Sequence, residues 1–210
     1  MTTANIEAPP THEPAGFAHA LARSLVVGVA AGAIAGLLWG GIGGRIAMRV
    51  VFLTSPETVR GVTSDDGFEI GVISGETMAL LIVTTMFGAI AGIPIGLVRP
   101  FLSGRTTTTA AGLGLAVALA GGAAIVHPDG VDFVFLDPLW LTVGLFVLLP
   151  GAWAATVVIA IDRLGDRIEP RDTAPPPRWL IVGAWLTVGA LATWGAVELI
   201  SDIGELRRLR

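Results

Sequence analysis

The chain of 210 residues contains no cysteine, lysine, tyrosine or glutamine, and Asn5 is its only asparagine. Each absence removes a class of chemistry. Without cysteine there is no disulfide framework, thiolate zinc site, iron–sulfur cluster or thiol nucleophile. Without lysine there is no Walker A phosphate loop and no Schiff base. Charge is scarce as well, at 14% of residues with a net charge of -4, and no nucleic-acid partner is expected. All 13 Lys/Arg positions are arginine. With abundant Ala, Gly, Val and Thr, that usage fits a GC-rich bacterial coding sequence.

What is present is apolar. Hydrophobic residues make up 53% of the chain, glycines number 28, and mean hydropathy is +0.75, beyond the range of an ordinary soluble domain. A bilayer core about 30 Å thick needs roughly 20 apolar residues in helix. Five such runs occur, at 24–43, 77–98, 109–126, 139–161 and 179–200, and Glu198 is the only ionisable residue within them. The expected fold is an all-α transmembrane bundle of five helices. Residues 1–16 read as a disordered cytoplasmic tail, 17–203 as one membrane domain and 204–210 as a charged C-terminal tail. The segment before the first span is Pro-rich and acidic at Glu7 and Glu13, the wrong n-region for a cleaved signal peptide.

Arginine placement sets the expected orientation. Arg23, Arg99, Arg105, Arg163, Arg167, Arg171 and Arg178 fall on one side, and the opposite side holds most of the carboxylates. This places the amino terminus in the cytoplasm and the carboxyl terminus outside a bacterial cytoplasmic membrane, although Arg207, Arg208 and Arg210 run against the rule.

The most specific pattern is a run of glycines at every fourth position of the first span: Gly28, Gly32, Gly36, Gly40 and Gly44. Small residues at that spacing let helix backbones approach closely in a lipid environment, where the hydrophobic effect between helices is missing. The second span carries a similar series at Gly88, Gly92 and Gly96, and the third has Ala110, Gly114, Ala118 and Gly122. The expectation is glycine-mediated packing of the first three spans. At 3.6 residues per turn, a stripe at every fourth residue rotates by roughly 160° from Gly28 to Gly44, so one parallel neighbour cannot cover it: the partner must cross obliquely with right-handed geometry, or two neighbours must share the stripe. Pro94 and Pro150 should kink their helices.

Between the first two spans, Asp65-Asp66-Gly67 separates two β-rich runs, the pattern of a short extracytoplasmic β-hairpin. Arg45 and Arg49, four residues apart, share a helix face at the outer end of the first span. They are expected either to pair with the hairpin's Asp65, Asp66 and Glu69, beside Arg60, or to hold an anionic lipid headgroup through their forked donors. His127, Asp129, Asp132 and Asp137 form an acidic outer loop whose spacing fits no metal site. Glu198, two residues from the end of its span, reads as interfacial. No nucleophile, base and acid set is evident.

The leading expectation is a non-enzymatic multi-pass protein with a structural, assembly or accessory role and no cofactor. Its partners would be the lipid bilayer and either another membrane protein or further copies of the chain. Second comes a small oligomeric transporter or channel component, and third a lipid-headgroup-binding or lipid-modifying protein. A dry interior would favour the first reading, and a continuous polar cavity the second.

Overall fold

An apolar run in lipid must satisfy its own backbone, and the helix does so within one segment. The structure, a computed structural model, describes residues 14–57, 75–102, 104–129, 131–168 and 177–209. It contains α1 (Pro14–Ala35), a π-helical stretch (Gly36–Gly43), α2 (Gly44–Thr54), α3 (Glu76–Val98), a 3₁₀ turn (Arg99–Phe101), α4 (Thr106–Ile125), α5 (Val131–Phe135), α6 (Leu139–Ile168) and α7 (Arg178–Leu209). Five helical runs are long and apolar enough to cross a membrane: Leu21–Thr54, Thr77–Phe101, Thr106–Ile125, Leu139–Leu164 and Arg178–Leu209.

The boundaries differ from the sequence expectation in ways with local causes. The first helix is already formed at Pro14, the first described residue, inside the expected tail. The last helix runs to Leu209 through the expected charged tail, where Arg207 and Arg208 lie beside the negative end of the helix dipole. The described residues include no strand. The expected hairpin lies within 58–74, outside the described residues.

The helices pack in the order α3, α1, α6, α4, α7, and α3 and α7 make at most marginal contact with each other. One buried cluster joins Ala31, Ala35, Ile95, Leu113, Val157 and Val158 at the centre. A second, containing Val126, Phe133, Val143, Leu199 and Leu206, lies toward the end where α5 sits. There the rings of Phe133 and Phe146 meet edge to face, with centroids 5.6 Å apart.

Along α1 and α3 the glycines lie backbone to backbone in antiparallel register. A Cβ built on Gly28 would stand 2.7 Å from Gly92 O, and one on Gly96 would stand 2.6 Å from Ser24 O. Gly32 likewise faces Gly88, and Gly36 faces Thr84 and Gly88. Gly40 reaches the side chain of Thr84, whereas Gly44 has nothing within 4 Å. The single neighbour α3 therefore follows the stripe from Gly28 to Gly40. Gly28 and Gly32 lie on α-helical turns, and only between Gly36 and Gly40 does the π-helical stretch, with its wider i→i+5 turns, reduce the rotation per residue.

The glycines of α4 take a different partner from the one the sequence suggested. Gly114 lies against Gly151 and Ala155, and Gly122 against Val147, all on α6. This corrects the picture of the first three spans packed through one set of faces. Here Gly151 supplies the matching small residue, since a Cβ on it would meet Gly114 O at 3.0 Å and the Ala118 Cβ at 2.8 Å. On α7, Gly195 sits against the backbone of Leu119 and Ala120.

Candidate functional sites at the two ends of the bundle

At one end, α2 carries the predicted arginine pair. Arg45 is half-buried and Arg49 exposed, and the Arg49 guanidinium lies 5.5 Å from the ring centroid of Phe52. Arg60, Asp65, Asp66 and Glu69 lie outside the described residues. Nearby, Thr54 and Ser55 fasten the end of α2 to the segment before α6. Thr54 Oγ1 lies 2.9 Å from the Asp137 carbonyl oxygen, and the Asp137 N–H donates to Ser55 Oγ at 2.9 Å. Asp137, one of the acidic loop residues, thus takes part through its backbone. His127 donates from Nε2 to the Ala124 carbonyl at 2.8 Å. Among the described residues no three of His, Asp and Glu cluster as metal ligands. Glu198 lies on α7, two turns before Glu205.

The opposite end holds the most buried charge. Arg99, directly after α3, is 4% exposed, and Asp162, near the end of α6, is 2% exposed. The Arg99 guanidinium donates to Asp162 Oδ2 at 2.6 Å, and Thr106 Oγ1, at the start of α4, donates to the same oxygen at 2.6 Å. The other terminal nitrogen of Arg99 donates to the Leu102 carbonyl. Three membrane-length helices therefore meet at one carboxylate. Removing two such charges from water is costly, and close pairing with further hydrogen bonds is what offsets the cost.

Sequence reasoning used Arg99 only as an orientation marker and gave Asp162 no role. The one available signal was that each directly follows an apolar span, at the level where a side chain is either solvated or paired.

Two tryptophans bind α6 to the first helix. Trp153 Nε1 donates to the Gly32 carbonyl at 3.1 Å, and Trp39 Nε1, in the π-helical stretch, donates to Thr156 Oγ1 at 3.0 Å. Thr156 Oγ1 in turn donates a hydrogen bond to the Ala152 carbonyl at 2.7 Å. Four other hydroxyls within the spans bond back to their own helices, Thr84 to Leu80, Thr85 to Leu81, Thr187 to Gly183 and Thr193 to Gly189, whereas the buried Thr109 Oγ1 has no hydrogen-bond partner among the described residues.

Between α3 and α7 lies an open crevice of about 590 Å³. Pro94 and Val98 form one wall, Trp179, Gly183 and Leu191 the other, and Leu113, Val117 and Trp153 the floor. Among the described residues Thr187 is the only hydroxyl residue in the lining, and it donates to the Gly183 carbonyl. Such a lining provides a binding volume for an apolar group and little to orient a polar one.

Comparison with family models, with curated proteins and with solved structures returned no match.

Proposed function

We propose that this chain is a multi-pass protein of the bacterial cytoplasmic membrane with a structural, assembly or accessory role. The observation that carries this reading is the use made of polar side chains within the spans. Thr84, Thr85, Thr156, Thr187, Thr193, Trp39 and Trp153 each bond to their own helix or to a neighbour. A coupled transporter instead keeps polar groups or paired charges at mid-membrane for its cargo.

In this reading the amino terminus faces the cytoplasm and the carboxyl terminus lies outside, the glycine faces of α1 and α3 hold the bundle together, and Arg45 and Arg49 meet the acidic segment around Glu69. Any partner, whether another membrane protein or a second copy, docks on the lipid-facing surfaces. The chain purified in native lipid and analysed for bound protein and lipid should yield a stoichiometric protein partner or a homo-oligomer. The same preparation in liposomes should pass no ions or small solutes above the rate of empty vesicles; protein-dependent flux would overturn the proposal in favour of a transporter or channel component.

The hairpin pairing has its own test. If Arg49 and Glu69 are in contact, charge reversals at both sites should restore the stability in detergent that each reversal alone removes, whereas additive losses would reject the contact.

A further inference from the structure

We propose that the crevice between α3 and α7 holds one acyl chain of a phospholipid from the leaflet at the Arg99 end. The inference rests on the chain's crossing a bilayer and is independent of the accessory role proposed above.

Its first support is chemical. A water molecule in a cavity needs two to four polar partners, and among the described residues this lining presents a single hydroxyl already bonded within α7. An empty crevice would leave the aromatic walls without contacts on one side. Hydrocarbon chains are the apolar molecules present at that depth.

The second support is length. Along α7 the lining runs over residues 179–191, about 18 Å of helix. The hydrocarbon of one leaflet is about 15 Å deep. The crevice begins at Phe101 and Trp179, at the ends of their helices, and stops at Ala91 and Leu191, inside the spans. A transmembrane helix from a partner would need a groove through the full thickness, whereas a single chain needs one leaflet.

Charge supplies the third. Arg178 is exposed and directly precedes Trp179 at the mouth, where its guanidinium suits a lipid phosphate. Arg99, next to the lining residue Val98, is already neutralised by Asp162.

The test uses tryptophan emission in vesicles of phosphatidylcholine carrying one dibrominated chain, with bromine as a contact quencher. In a variant that keeps Trp153 and replaces the other five tryptophans by phenylalanine, Trp153 at the crevice floor should be quenched as strongly as lipid-facing Trp194 in the matching variant. Gly183→Phe should then restore most of the Trp153 emission and leave Trp194 unchanged. A Cβ at Gly183 meets nothing within 4 Å, so the ring enters open space.

Trp153 unquenched beside a quenched Trp194 would overturn the proposal, as would a red-shifted Trp153 indicating water. Quenching of Trp153 that ignores Gly183→Phe would also overturn it, since the chain would then reach Trp153 by another route. A measurement that leaves every tryptophan in place covers the case of a misfolded variant. Spin-labelled phosphatidylcholine should show about one fewer immobilised lipid per protein in Gly183→Phe than in the parent chain, and equal numbers would reject the site.

Discussion

The guanidinium of Arg99 and the carboxylate of Asp162 meet at 2.6 Å across 63 residues of sequence, with both side chains almost wholly out of solvent. Thr106 completes the arrangement from a third helix. The turn between α3 and α4 is therefore fixed to the end of α6 by charge, at the level where the apolar spans end.

Removing one member of that pair leaves an uncompensated buried charge. Asp162→Ala should cost about 3–5 kcal/mol, read as a large fall in the thermal midpoint in detergent. The double replacement Arg99→Met with Asp162→Leu should recover much of the loss, because two apolar side chains of similar volume leave no charge to solvate. A double variant as unstable as Asp162→Ala would show that the pair contributes through its geometry and not through mutual neutralisation.

Glycines of the first two helical runs should divide by what they face. Gly92→Ala drives a methyl group into the Gly28 carbonyl, an overpacking of backbone on backbone that should cost about 1–3 kcal/mol. Gly44→Ala meets open space and should leave stability unchanged or raise it by up to about 1 kcal/mol through helix propensity. Equal effects at the two sites, by thermal unfolding of the purified variants, would contradict the packing described.

Ser55→Ala removes the acceptor of the Asp137 N–H. The expected loss is about 1 kcal/mol, the typical net value of one hydrogen bond. Hydrogen exchange at the Asp137 amide should accelerate while amides at the centre of α4 keep their protection, since the effect is confined to one end of the bundle.

Because the chain has no native cysteine, its orientation can be read with single introduced thiols at exposed positions. In intact cells an impermeant maleimide should label Glu57→Cys and spare Arg105→Cys, which should react only after permeabilisation. The reverse pattern would invert the proposed topology.

The five membrane-length helices were legible because hydropathy and helix rise depend only on local sequence. What escaped was long-range or concerned backbone type. Nothing near Asp162 names Arg99 as its partner, since the two lie on different helices with a whole span between them. The partner of Gly114 was misjudged because a small-residue ladder states that a helix approaches without stating which, and lone Gly195 formed no ladder to notice. The π-helical stretch left no mark in an Ala/Gly-rich run. The arginine pair was located, but the acidic residues assigned to it lie outside the described residues, and the most buried polar cluster proved to be at the opposite end.

The separation of Arg99 from Asp162 also orders the chain's biosynthesis. Domains assemble from the amino terminus as synthesis proceeds, and the contact of α1 with α3 needs nothing beyond residue 96. The first two crossing helices can therefore lock while the ribosome is still extending the third. Arg99 has no carboxylate to receive it until residue 162 emerges, so for the length of two further spans its charge waits at the membrane surface among water and lipid phosphate. Its burial belongs to a late step of insertion, when the fourth span closes onto a hairpin already formed.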